Sequence, residues 1–229
     1  MAPAMRGAAD TGWTMNPRLL LELLSGLGVS ILIFLLTLLF ALPLGMGVAL
    51  LRMSKFWALS WPSRIFISVM RGTPLMLQLM VVYFGPYYLF GIPLGTNYRF
   101  IAVVIAFSIN YSAYFSEIYR AGIEAIPVGQ YEAAHVLGYS RLQTFFKIVL
   151  PQVVKRVLPP VTNEVITLVK DTSLSSTLSV LEMFTIARQM ASARTSMMPL
   201  VAAGIFYYVF NFAVAYVMEL FEKRLGYYR

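Results

Sequence analysis

The chain has 229 residues, of which 59% are hydrophobic and 12% charged, and its mean hydropathy is +0.73. A soluble domain holds roughly 45–50% apolar residues, so this composition belongs in a bilayer, and the net charge of +8 bears on topology before partners, with no nucleic acid expected among them. The lack of cysteine excludes disulfides, thiolate nucleophiles and thiol metal sites, and the lone His135 cannot form a metal cluster, so no metal site is expected.

Residues 1–16 are mildly polar, and the apolar run behind them is too long for the core of a signal peptide. Segment 1–18 is expected to be extracytoplasmic, and 19–229 to form a single transmembrane domain. A spanning helix needs about 20 mainly apolar residues. That rule predicts five spans, over about 26–51, 73–90, 100–119, 157–181 and 199–221, with a tilted lead-in holding Pro17, Arg18 and Glu22. The connections after spans one and three and the C-terminal tail carry twelve of the eighteen Lys and Arg residues. The positive-inside rule therefore places them in the cytoplasm, with the N-terminus outside.

Span two opens at Arg71-Gly72-Thr73-Pro74, where Thr73 suits an N-cap and proline is tolerated in a first turn. Gln78, one turn further on, must pair its amide, so it is expected to face the protein interior or a watery path. In span three, Glu117 and Arg120 are three apart and can pair along one face, while Asn110 and Ser112 either line a path or bond between helices.

The loop 124–152 is a polar island between apolar blocks. Tyr131–Leu137 is helix-prone, Gly138 is placed to end it in a left-handed cap, and Ser140 can start a second helix over Arg141–Val149 before Pro151 interrupts. Glu132 suits the first helix's N-terminal dipole, and Ala133 and Ala134 keep that face thin enough for a partner's groove. An amphipathic loop lying on the lipid surface is the plainer alternative.

Span four is chemically loaded, with Asn163, Glu164, Lys170, Asp171, Thr172 and Ser173 in a segment that otherwise reads as membrane-crossing. In one reading Glu164 and the Asn163 amide hold the polar or cationic parts of a zwitterionic solute, and Asp171, Thr172 and Ser173 shape the path further out. In the other, Lys170 and Asp171 pair across helices and the hydroxyls support an interrupted backbone. Pro159 and Pro160 are expected to break the span's first turn.

The chain has no G-x-x-x-x-G-K-[ST] phosphate loop, no H-E-x-x-H pair and no G-x-S-x-G elbow. It is therefore not expected to be an enzyme, and no catalytic residue is assigned.

Glu132-Ala133-Ala134, Gly138, Ile148, Leu150 and Pro151 match the EAA signature of bacterial ABC importer permeases, a family the chain resembles. R-G-T-P-L-M-L-Q-L at Arg71–Leu79, A-Y-F-S-E-I-Y-R-A-G-I at Ala113–Ile123 and N-E-V-I-T-L-V-K-D-T-S-L at Asn163–Leu174 resemble the polar amino acid uptake branch. The resemblance implies an all-α integral membrane fold of five transmembrane helices, with a cytoplasmic coupling-helix elbow between spans three and four. On that elbow Tyr131, Glu132, Ala133, Ala134, Gly138, Tyr139 and Arg141 would engage the ATPase subunit. Gln78, Asn163, Glu164, Lys170, Asp171, Thr172 and Ser173 would line the substrate pathway. It further implies a multi-pass protein of the bacterial plasma membrane that works by alternating access. Its partners would be a second permease subunit, identical or closely related, two cytoplasmic ATPase subunits and an extracytoplasmic amino-acid-binding protein. ATP and Mg would sit on the ATPase subunits, and no cofactor on this chain. Two other classes compete: an ion-coupled secondary transporter or channel using Glu164 and Asp171, which leaves the elbow unexplained, and a scaffold subunit.

Overall fold

A computed structural model describes residues 17–95 and 97–225, and every regular element among them is helical. The segment 1–16 and the end of the tail, for which an extracytoplasmic and a cytoplasmic place are expected, lie outside the described residues. The first helix, α1 (Pro17–Arg52), is continuous over 36 residues and begins well before the expected Gly26. Pro17 supplies the fixed φ that suits a first helical position, and Arg52 complements the dipole at the last turn.

The stretch after Arg52, expected to be only a connection, forms α2 (Trp57–Gly72), and α3 (Leu75–Phe90) leaves it at 113°. The bend has a local cause. Pro74 drives the residue before it out of the helical region, and Thr73 is extended at φ −120°, ψ 146°. Thr73 is therefore not the N-cap of α3: its hydroxyl donates back to the Val69 carbonyl at 2.8 Å, closing α2.

α4 (Tyr98–Glu124) lies along α1, and its crossing is close because Gly45 has no side chain. A Cβ at Gly45 would come within 2.8 Å of Phe115 Cβ and 3.1 Å of the Ser112 carbonyl. Beyond α4 come α5 (Val128–Val136) and α6 (Arg141–Thr144). α6 then runs through a π segment, Phe145–Val149, into α7 (Leu150–Asp171). Pro151 does not interrupt this path, since the wider π turn just before it accommodates a residue without an N–H. Pro159 and Pro160 lie inside α7 and break no first turn, because the helix begins at Leu150.

The span expected over 157–181 ends at Asp171, and the chain continues as a 3₁₀ segment, Thr172–Leu178. Thr172, Ser173 and Ser175 each donate a hydroxyl to the carbonyl three residues back, at 2.8, 2.8 and 2.7 Å. Such local bonds compete with the α ladder and favour the tighter coil. α8 (Met183–Arg194) and α9 (Met198–Leu225) complete the chain.

Among the described residues three helices are long and apolar enough to cross a membrane, Leu19–Arg52, Tyr98–Glu124 and Met198–Leu225, and the bent pair α2 and α3 makes a fourth if taken as one. α7 carries Lys155, Arg156, Glu164, Lys170 and Asp171, too many charges to pass on composition alone.

The main core joins Ile33, Phe34 and Ala41 of α1, Phe107, Tyr111 and Phe115 of α4, and Val161, Val165 and Leu168 of α7. A second cluster packs Leu19 and Leu23 against Met183 and Ala187 of α8 and Ala202 and Ala203 of α9. A third holds Ile126, Val149, Val153 and Val157 together at the base of α5 and α6. The outward faces remain apolar, α9 most of all, with only 11% of its apolar window buried, as expected where lipid or another membrane chain is the solvent.

Candidate functional site

Among the described residues four polar places stand out, beginning with the turn between α5 and α6. Gly138 has φ +79°, its N–H donates to the His135 carbonyl at 3.0 Å, and the Tyr139 N–H donates to the Ala134 carbonyl at 3.0 Å. This pair of bonds is a Schellman motif, which needs a left-handed residue at its centre. Ser140 then opens α6 with a capping box: its Oγ accepts from the Gln143 N–H at 3.3 Å, and the Gln143 side chain accepts from the Ser140 N–H at 2.9 Å. Ala134 is buried while Tyr131, Glu132, Ala133, Gly138 and Arg141 are exposed. Tyr131, His135, Tyr139, Arg141, Thr144 and Phe145 line a groove of about 420 Å³. Beside it Val136 is 85% exposed, and Leu137 and Leu142 72% each. Three aliphatic side chains are thus bared around this turn.

At the foot of α4, the Glu117 carboxylate accepts from Arg52 Nε of α1 at 2.9 Å and is paired with Arg120 at 2.8 Å, while Arg120 also pairs with Glu124. These pairs tie the ends of α1 and α4. They border a pocket of about 500 Å³ whose charged lining also includes Arg71, Arg156 and Glu164. The Arg71 guanidinium lies over the Tyr114 ring, 5.3 Å from its centroid. Glu164, a pathway candidate, is half-buried there and lines this polar cavity.

Gln78 sits in a third place. Its amide nitrogen donates to the Met70 carbonyl at 2.9 Å and to Thr73 Oγ1 at 2.8 Å, and its oxygen accepts from Asn110 Nδ2 at 2.9 Å. Asn110 also donates to the Met70 carbonyl at 3.0 Å. The two amides thus fasten the α2–α3 bend to α4.

The remaining candidates are spread along α7 and the 3₁₀ segment. Asn163 and Lys170 are exposed, Thr172 is buried, and Ser173 is partly covered. Asp171 accepts from the Tyr111 hydroxyl of α4 at 2.7 Å, and no ion pair joins it to Lys170 among the described residues. The seven pathway candidates thus lie on α3, on α7 and along the 3₁₀ segment.

The fourth place was missed from the sequence. Glu182, fully buried, caps α8 and is reached by side chains of α1 and α9. The available signal was an acidic residue three before Thr185, at the start of a segment with few other charges. Among the described residues no group of three or more His, Cys, Asp or Glu could hold a metal ion.

Residues 41–227 match the family described as binding-protein-dependent transport system inner membrane component. The chain is similar to the L-cystine transport system permease protein TcyB of Bacillus subtilis, at 34% identity over 99% of this chain and 96% of the relative. It is also similar to the arginine transport system permease protein ArtQ of Bacillus subtilis, at 37% identity over 89% of this chain and 92% of ArtQ. Among solved structures, an amino acid ABC transporter crystallised with histidines matches with a TM-score of 0.82 at 30% identity, covering 92% of this chain and 99% of that one. The MetNI methionine ABC transporter shares the fold, with a TM-score of 0.70 at 15% identity over 92% of this chain and 99% of that one.

Proposed function

The chain belongs to the family of binding-protein-dependent transport system inner membrane components, and from that membership we propose that it is the permease subunit of an ATP-driven importer of polar amino acids. The observation that carries the reading is the α5–Gly138–α6 elbow, a rigidly capped turn that bares Val136, Leu137 and Leu142 beside a groove. An apolar, preorganised protrusion of this kind suits insertion into a cleft of a water-soluble partner. Tyr131, Glu132, Ala133, Ala134, Gly138, Tyr139 and Arg141 are its coupling residues. The partner is the ATPase subunit, which binds ATP and Mg, in two copies. A second permease subunit, identical or closely related, completes the pathway, and an extracytoplasmic binding protein delivers the amino acid. The relatives named above do not favour the ion-coupled alternative.

The protein sits in the bacterial inner membrane with its N-terminus outside, the elbow and C-terminus in the cytoplasm, and residues 19–229 as one domain. Five crossings are reached by counting the bent pair once and adding α7, whose charges then face a pathway. Glu164 is the solute contact within the pocket that Arg71 and Arg156 share. A carboxylate opposite two guanidinium groups complements the ammonium and carboxylate of an amino acid. Asn163, Lys170 and Ser173 line the path beyond it, Thr172 supports them from a buried position, and Gln78 acts by holding the bend beside it. Alternating access follows from ATP binding at the partner: the elbow moves with the ATPase pair and rocks α7 against α4.

Purification of the tagged chain in mild detergent, with assay of co-purifying ATP hydrolysis, tests the reading. Activity that accompanies the wild type and is lost with Gly138→Arg is the expected result. A wild-type chain that brings no ATPase with it in any of several detergents would overturn the proposal.

A further inference from the structure

The 3₁₀ segment 172–178 is held at its two ends by carboxylates of very different strength. At its exit, the chain passes Ser179, a non-glycine residue at φ +55°, and reaches Glu182, which has no exposed surface. Oε1 of Glu182 accepts from the Thr185 N–H at 2.6 Å and the Thr185 hydroxyl at 2.8 Å. Oε2 accepts from the Phe184 N–H at 2.7 Å and the Tyr207 hydroxyl at 2.9 Å, with Ser30 Oγ at 3.4 Å. The carboxylate thereby joins α1, α8 and α9, and the α8 N-terminus favours its charge. Gly26 lets α1 come close enough for this, since a Cβ there would stand 2.7 Å from Met183 Cα.

At the segment's entrance, the only side-chain donor to Asp171 among the described residues is the Tyr111 hydroxyl, at 2.7 Å. The nearby contact of Thr172 Oγ1 with the Tyr207 oxygen, at 3.4 Å, adds little. The Thr172 hydrogen is already donated to the Val169 carbonyl, and that of Tyr207 to Glu182. The 3₁₀ stretch connects α7 to the turn before α8 with a ladder poorer than that of an α-helix, and an end held by one side-chain bond gives way before an end held by four.

We propose that segment 172–178 is a gate of the solute path, with buried Glu182 as its fixed pivot and the Asp171–Tyr111 hydrogen bond as the latch that opens. The inference rests on the importer reading and adds to it two positioning residues, Glu182 and Tyr111, that touch no solute. Gate opening swings Leu174 to Thr177 away from α4 while α8 stays against α1 and α9.

The chain has no native cysteine, so single cysteines report local exposure cleanly. Ser176→Cys, on the segment, and Ser192→Cys, on the exposed face of α8, are labelled with a membrane-impermeant maleimide in membranes containing the assembled complex. Each is combined with Tyr111→Phe or Tyr207→Phe, which remove one hydroxyl apiece and keep the ring. Tyr111→Phe is expected to raise the labelling rate at position 176 by about tenfold, the effect of losing one hydrogen bond to a charged group, and to leave position 192 unchanged. Tyr207→Phe is expected to change position 176 by less than about twofold, because the other donors still hold Glu182. Equal effects of the two variants, or equal changes at both positions, would overturn the gate. ATP-dependent uptake by the wild type is measured in parallel: uptake without the labelling asymmetry overturns the gate alone, and absence of uptake overturns the importer reading beneath it.

Discussion

Gly122 and Gln78 illustrate how single residues set the approach of helices. A Cβ at Gly122 would overlap Val157 Cγ1, so α4 and α7 meet where an added side chain must displace the valine methyl. Gly122→Ala is expected to cost about 1–3 kcal/mol by overpacking, seen as a lower melting temperature in detergent, and the added Val157→Ala should return most of it. A double variant no more stable than Gly122→Ala alone would show that the contact is not the cause. Gln78→Ala removes the amide that fills the α2–α3 bend and strands Asn110, for an expected loss of about 1–3 kcal/mol by the same assay. At this scale the sequence was partly legible. That Gln78 must pair followed from its depth in an apolar run, but its partners are Met70, Thr73 and Asn110, two of them on other helices, and no spacing rule reaches that far. At Glu182 only the local cap could be read, because its other donors, Ser30 and Tyr207, stand 152 and 25 residues away in the chain.

Elements were readable wherever a local rule governs them. The Schellman turn at Gly138 and the Ser140 capping box use only neighbours within six residues, and both chemistries show in the sequence. Gly138→Ala is expected to destabilise by about 1 kcal/mol through the left-handed conformation alone, because nothing lies within 4 Å of the added Cβ. Gly138→Asn, which tolerates that region, should retain co-purifying ATPase activity, and equal loss with Asn and Ala would point to the missing side chain instead of the φ angle. α2 was passed over because Arg64 and Arg71 made its stretch look like a cytoplasmic connection. Trp57 and Trp61 stack at 5.4 Å on its exposed side, and both faces of such a helix find a place only once α1 and α4 are beside it. The end of α7 at Asp171 was missed because hydroxyl-rich sequence permits either an α ladder or a 3₁₀ coil, and the packing of that segment against α3 and α8 decides between them.

For the whole molecule, the asymmetry of Lys and Arg predicts orientation. A fluorescent protein that folds only in the cytoplasm is expected to be bright when fused after Arg229 and dark when fused before Met1, and the reverse pattern would invert the topology. Amino acid uptake is expected to persist when the membrane potential and ion gradients are collapsed with ATP still present, and its loss would favour ion coupling instead. Membrane residence, helical class and the capped turn at Gly138 were determined by the sequence itself, because composition, hydropathy and cap chemistry act over a few turns of chain. Which carboxylates face a pocket, which are sealed among donors, and where the charged helix α7 breaks were decided only by the tertiary structure. A buried charge is stable only where several helices bring their donors to one point, and that convergence exists only in the folded bundle.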